Sequence, residues 1–201
     1  MDAVRYFIAL FLIVAFPAAM SMWFLIHPLA GFWRRRGPTI TYSSVVALAG
    51  VIGFLVFRFR APLLRVEFGF SWVLTVAAIL VYVGGVLLER QYRRHLTIAT
   101  LLGLPEVSEN RPSTLLTEGI YSKIRHPRYL GLMFEISATA LLVNYLAVHL
   151  LVLATVPVLY FTVYLEEREL VERFGEAYEQ YMRQVPRFLP RFHLPGRNSE
   201  V

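Results

Sequence analysis

The chain has 201 residues, of which 57% are hydrophobic and only 17% charged, against about 25% charged in ordinary soluble domains. Mean hydropathy is +0.54 and the low-charge stretches are long, which reads as an integral membrane protein rather than an apolar soluble one. The net charge of +6 rests on nineteen arginines and Lys123, an orientation and headgroup signal with no soluble basic module for nucleic acid, and the absence of cysteine excludes disulfides and thiolate chemistry.

Residues 4–26 form the first apolar span. Their apolar character runs past the roughly 7–15 residues of a signal segment, and no small-residue cleavage site follows. Pro17 is placed to kink this span, and His27-Pro28 to end it. Phe32-Trp33 followed by Arg34 to Arg36 reads as an aromatic belt beside a basic anchor. The second span is expected at 42–59, with Gly50 and Gly53 permitting close helix approach. Arg58, Arg60 and Arg65 bracket Pro62 in a tight connection. The third span, 68–88, closes on Gly84-Gly85 before a charged run from Glu89.

The stretch 95–104 is too short to cross and reads as an interfacial helix or loop, and 105–118 as a polar loop. The fourth span, 127–143, opens on Pro127, whose missing N–H is an orphan in a first helical turn anyway. The fifth is expected at 146–165, with Pro157 inside it. After Glu166 an amphipathic helix is expected, with Leu170, Phe174, Tyr178 and Tyr181 in one stripe that reads as packing. The predicted fold is therefore an all-α integral membrane protein, a single domain over 1–201. It has about five transmembrane helices plus a C-terminal amphipathic cytoplasmic helix. With the N-terminus outside, 16 of the 20 positive residues fall on the inner side, which places the C-terminus, the Arg125-His126 motif and the glutamate pair on the cytoplasmic side. Arg5, Arg58, Arg60 and Arg65 are the exceptions.

A hydrocarbon core of about 30 Å takes about 20 helical residues to cross. From Tyr129 to Glu166 is 37 positions, one crossing and one return. Arg125-His126 and Glu166-Glu167 are thus expected at the same membrane face, where a cation, an imidazole, a phenol and two carboxylates gather as an active site. No two of the five histidines stand at i and i+4, so no metal site is expected.

Glu135 lies six residues beyond Tyr129, about 9 Å deeper along the helix. An ionisable residue at that depth is a functional candidate by default. It reads either as lining an acceptor pocket or as a protonated structural residue bonded to a neighbouring span, and it is taken with Arg125 as a catalytic candidate.

The elements Gly119-x-Tyr121, Arg125-His126-Pro127-x-Tyr129-x-Gly131, Glu166-Glu167, Phe174-Gly175-x-x-Tyr178-x-x-Tyr181 and Val185-Pro186-Arg187-x-x-Pro190 occur in order over 115–190. Together they resemble the isoprenylcysteine carboxyl methyltransferase family, to which the phospholipid N-methyltransferases are related. The resemblance implies S-adenosylmethionine as methyl donor, bound at the cytoplasmic face. Gly119, Tyr121, His126, Pro127, Tyr129, Glu166 and Glu167 are then the donor-binding candidates. Glu166 or Glu167 would hold the donor's ammonium, Tyr121 and Tyr129 would offer aromatic faces to the sulfonium or adenine, and Arg125 or His126 would meet the carboxylate.

No Gly-x-Gly-x-x-Gly is present, which excludes a Rossmann-type methyltransferase. The eukaryotic prenylcysteine enzymes carry an arginine about five residues before a glutamate of the pair, where this chain has Phe161 and Thr162. The expected partner is a lipid or lipophilic acceptor, first an isoprenylcysteine-type or other isoprenoid carboxylate. Phospholipid amines and small thiols stay open, as does a non-catalytic lipid-binding role.

Overall fold

The computed structural model describes residues 2–26, 29–94 and 115–190, so the expected interfacial stretch 95–104 and most of the loop after it lie outside the described residues. Helix α1 is Asp2–Ile26. Helix α2 is Ala30–Arg58, broken where Gly37 turns to φ 79°. That left-handed conformation suits glycine, and Pro38 behind it has no N–H to continue the ladder. The Thr41 hydroxyl donates to the freed Gly37 carbonyl at 2.9 Å. A short α3, Arg60–Leu63, follows. Helix α4 is Trp72–Arg93, its start capped by Ser71, whose hydroxyl accepts from the Leu74 N–H at 3.4 Å.

A 3₁₀ turn, Gly119–Ser122, precedes α5, Pro127–Val143. Pro127 is the first helical residue, as expected, and Asn144 ends the helix in the left-handed conformation at φ 56°, which asparagine tolerates better than other side chains do. Helix α6 is Leu146–Phe174, continuous through Pro157. Gly175, at φ 58°, separates it from α7, Glu176–Gln184.

Three expectations are corrected. The aromatic-basic belt at 32–36 is itself helical, and the second apolar helix begins well before residue 42. The third helix is displaced to Trp72–Arg93, because 64–71 are held in an irregular connection. The fifth does not end at the glutamate pair: α6 carries Glu166 and Glu167 inside an unbroken helix, and the amphipathic segment begins only after Gly175. The stripe nevertheless packs as expected, since Tyr178, Tyr181 and Val185 bury together with Leu170 and Phe174.

Among the described residues, four helices are long and apolar enough to cross a membrane: Asp2–Met22, Arg35–Arg58, Trp72–Arg93 and Leu146–Phe174. Helix α5, with 17 residues, rises only about 25 Å. It is the innermost element, packed against α1, α4 and α6. Phe7, Phe11, Phe54, Trp72, Val73 and Leu80 point outward, the exterior that a hydrocarbon solvent calls for. This is an all-α membrane protein.

In lipid, apolar helices gain little by burying side chains against each other, so close approach over small residues decides the packing. The α4–α5 contact is built that way. A methyl group added to Gly85 would stand 3.0 Å from Phe134 Cβ, and one on Gly131 would stand 3.2 Å from the Tyr92 ring. The motif glycine Gly131 is thus explained by the ring it admits.

One end of the bundle is tied by a buried cation. Arg5, 4% exposed, donates to the Val143 carbonyl from Nε at 3.1 Å and Nη2 at 2.8 Å, and pairs with Glu67 at 2.7 Å. Glu67 also accepts from the Tyr145 hydroxyl, and backbone bonds join 66–68 to 144–146. The N-terminus, the connection after α3 and the α5–α6 turn therefore share one end. The α4 C-terminus, the start of α5 and the polar end of α6 share the other.

Candidate functional site

Glu166 and Glu167 stand on α6 just past its apolar part. Adjacent helical positions point about 100° apart, so the two carboxylates leave α6 in different directions. Glu167 turns inward and is 4% exposed. Its Oε1 lies 2.8 Å from Arg125 Nη2 and 3.1 Å from His126 Nε2. Its Oε2 accepts from Arg187 Nε at 2.9 Å and Nη2 at 2.6 Å. A carboxylate only accepts, so the His126 proton sits on Nε2, and in the neutral ring Nδ1 is left as an acceptor.

Arg125 and His126 reach Glu167 because their backbone is pinned. The Arg125 N–H donates to the Pro186 carbonyl at 2.9 Å and the His126 N–H to that of Arg187 at 3.0 Å. The segment after α7 thus lies beside the motif as a third wall. Arg187 stacks over the Tyr160 ring at 5.0 Å. Its hydrogen bonds to Glu167 raise its basicity above the ordinary arginine value. Phe188 lies 6.1 Å from the His126 ring, centroid to centroid, and packs on the cluster of Met20, Tyr129, Leu159 and Val163. His126 occupies the cap position of α5 but makes no side-chain cap bond.

The phenols around this wall are neutral. Burial, more than any neighbouring charge, raises Tyr121 and Tyr178 above the ordinary phenol and pushes Tyr181 up to about 12. The Tyr181 hydroxyl donates to the Tyr121 carbonyl at 2.6 Å, joining α7 to the turn that opens at Gly119. Gly119 itself has φ 60°, a backbone reason for glycine there.

Among the described residues, two buried side-chain polar atoms have no partner: Arg125 Nε and Glu166 Oε2. Glu166 Oε2 faces His126 Nδ1 across 3.8 Å, too far for a hydrogen bond. Leaving such groups dry costs about 1–3 kcal/mol each. One is a donor and the other an acceptor, and both belong to one cluster.

The structure therefore brings together Arg125, His126, Pro127, Tyr129, Glu166 and Glu167, with Tyr121 and Gly119 on the adjoining turn. It does not bring Glu135 into the cluster. The charged groups bearing on Glu135 are Glu89 and Arg93 of α4, whereas Tyr129 packs toward α1 and α6. Sequence reasoning missed Arg187 and Phe188 as site residues. The Val-Pro-Arg-x-x-Pro element was the available signal. Among the described residues no His, Asp and Glu group is placed to hold a metal.

The pattern of the phospholipid methyltransferase family matches residues 72–177, just over half of the chain. The chain is 35% identical over 82 residues to a protein-S-isoprenylcysteine O-methyltransferase of Schizosaccharomyces pombe, covering 40% of this chain and 35% of that one. It is 38% identical over 87 residues to a methanethiol S-methyltransferase of Crocosphaera subtropica, covering 42% and 32%. A protein-S-isoprenylcysteine O-methyltransferase of Xenopus laevis matches at 32% over 126 residues, covering 60% and 41%. The chain thus spans about a third to two fifths of the length of these relatives. No solved structure matches it. With its third helix, the Arg125-His126 motif and the glutamate pair all inside the matched region, the chain belongs to the phospholipid methyltransferase family, with protein-S-isoprenylcysteine O-methyltransferases among its relatives.

Proposed function

We infer that this protein is a methyltransferase that uses S-adenosylmethionine to methylate a lipophilic acceptor at the end of the bundle formed by Arg125, His126, Glu166 and Arg187. The observation that carries this is the pair of unpartnered atoms, Arg125 Nε and Glu166 Oε2. A zwitterionic amino-acid end offers a carboxylate for the first and an ammonium for the second, each a charge-assisted hydrogen bond. Glu167 is already engaged by three side chains, so Glu166 is the glutamate left to meet the ammonium. Tyr121 borders the same space, since Glu166 is the carboxylate that bears most on it. When bound, the donor's sulfonium supplies an electrophilic methyl group.

Glu167 is a positioning residue in this reading: it sets the Arg125 and His126 side chains and ties down the 185–189 segment through Arg187. Glu135 belongs to the α4–α5 contact, and the chemistry does not need it. The expected topology, which puts 16 of the 20 positive residues on the inner side, supports the cytoplasmic face for this end.

Similarity to relatives named for a prenylcysteine and for methanethiol supports a lipid acceptor first and a small thiol second. Incubation of the purified protein with methyl-labelled donor and either a total lipid extract or methanethiol separates them. Label in the lipid fraction supports the reading. Failure of the protein to bind S-adenosylmethionine in calorimetry refutes it.

A further inference from the structure

The end of the bundle away from the candidate site carries Arg5, Arg58, Arg60 and Arg65, the four positive residues that the expected topology leaves outside. Among the described residues, the carboxylates at this end are Asp2 and Glu67, and both pair with Arg5, at 3.2 and 2.7 Å. Arg58, Arg60 and Arg65 are thus left without an acidic partner among the described residues. A short connection with three uncompensated arginines runs against the charge bias of membrane topology. An anion from outside the chain would offset it.

The backbone that carries the three arginines is held in place. The Phe59 N–H donates to the Val56 carbonyl at 3.1 Å where α2 gives way to α3, and the Leu64 N–H to the Arg60 carbonyl at 2.9 Å. Leu64 is buried with Ala9, Ile13, Val143 and Tyr145, which leaves the next residue, Arg65, exposed. Arg60 lies 4.1 Å over the Phe57 ring and donates from Nη1 to the Phe57 carbonyl at 3.0 Å. That contact uses one of its five N–H donors. Arg58 closes the apolar stretch Arg35–Arg58, the depth at which hydrocarbon gives way to headgroups. Phe57, Phe59 and Leu63, interleaved with the arginines in sequence, are all exposed.

We propose that Arg58, Arg60 and Arg65 form a binding site for the phosphate of an anionic phospholipid, with Phe57, Phe59 and Leu63 against its acyl chains. A guanidinium meets a phosphate with paired hydrogen bonds, and three of them gather charge that a zwitterionic lipid cannot match. The apolar side chains between them select a lipid over free phosphate, because a soluble anion would leave those three in water. A second copy of the chain would bring arginines against arginines. The site lies at the opposite end of the bundle from Arg125 and Glu166, so it stands independently of the methyltransferase reading.

The test uses the full chain in phosphatidylcholine nanodiscs holding a minor fraction of phosphatidylglycerol with a diazirine beside its glycerol backbone. Photolabelling of the peptide covering 57–68 should exceed that by phosphatidylcholine bearing the same diazirine at least tenfold, and the preference should fall as salt is raised. Arg58→Gln, Arg60→Gln and Arg65→Gln should each weaken the apparent affinity about fivefold, and the triple variant on the order of a hundredfold. Labelling of peptides containing Arg35 and Arg90, exposed at the other end, should not change in the triple variant. Its melting temperature in pure phosphatidylcholine should stay within about 2 °C of the parent, as for other exposed substitutions. Glycerol phosphate, which has the anion and no chains, should not compete at the concentration at which phosphatidylglycerol saturates.

Equal labelling of 57–68 by the two lipids in the parent would overturn the proposal. So would a preference that salt leaves untouched, a readout that needs no substitution, or a triple variant that keeps the parent's preference. Competition by glycerol phosphate at equal concentration would make the ligand a free phosphate and refute the lipid assignment.

Discussion

Glu166 and Glu167 are adjacent in sequence and identical in chemistry, yet they stand in opposite surroundings, and the isosteric change to glutamine separates the roles proposed for them. In Glu167→Gln the buried side chain loses the charge that compensates Arg125 and Arg187, and its amide nitrogen must face a guanidinium donor. Removing one partner of a buried ion pair costs about 3–5 kcal/mol. For a chain of this size that is on the order of 10 °C in melting temperature. In Glu166→Gln no internal hydrogen bond is lost, because Oε2 has no partner. Stability should therefore not fall, and relief of the dry carboxylate oxygen would raise it by up to about 1–3 kcal/mol. The loss appears on binding instead: a charge-assisted hydrogen bond to the donor's ammonium is worth about 1.5–3 kcal/mol, roughly ten- to a hundredfold in dissociation constant. Thermal unfolding by intrinsic fluorescence and calorimetric titration with S-adenosylmethionine, both in the same detergent, read the two effects separately. If Glu166→Gln melts as low as Glu167→Gln, or binds the donor as the parent does, the division of labour between the two carboxylates is wrong.

Other outcomes follow from the same contacts. Gly85→Ala should cost about 1–3 kcal/mol by overpacking against Phe134, while Gly84→Ala, whose added methyl meets only ordinary contact, should be neutral or slightly stabilising because alanine favours helix; chemical unfolding of the pair compares them. Arg5→Met leaves the Val143 carbonyl without its donors, while Glu67, a third exposed, keeps the Tyr145 hydroxyl, so a loss of about 1–3 kcal/mol is expected, measured as a fall in melting temperature with donor affinity of the surviving folded fraction retained. Arg187→Ala should weaken donor binding by releasing the 185–189 segment from Glu167, and limited proteolysis should cut after Gln184 faster than in the parent. Single cysteines at Ser122 and Arg65, in a chain that otherwise has none, should be labelled by an impermeant reagent from opposite sides of the membrane, Ser122 from the cytoplasm. Labelling of both from one side would undo the alternating arrangement of the helices.

The run of apolar residues along the chain was enough to establish an all-α membrane protein, because the bilayer leaves helices as the simplest way to satisfy backbone polar groups in a segment of that length. Pro127 marked the start of α5 for an equally local reason, its lack of an N–H. The gathering of Arg125, His126, Glu166 and Glu167 at one end was also legible, since a crossing and a return of known rise bring them level. Boundaries set by longer-range contacts were not. The connection at 64–71 is irregular because its backbone is bonded to 144–146 and its Glu67 to Arg5, partners some 78 and 62 positions away in sequence. Of the four arginines expected outside, Arg5 has a role of the same kind, as a buried tie.

Tertiary structure alone decided which glutamate is committed and which is open. The two differ only in which side of α6 they occupy, and the inward side became inward because Arg187 arrives twenty positions later to close on Glu167. It likewise decided that Glu135 meets α4 and not the cluster, since six positions turn a helix through far more than one face. Composition and spacing specify what each residue offers and how far along the membrane it lies; rotation about a helix axis, and the partner met there, depend on every other helix in the bundle.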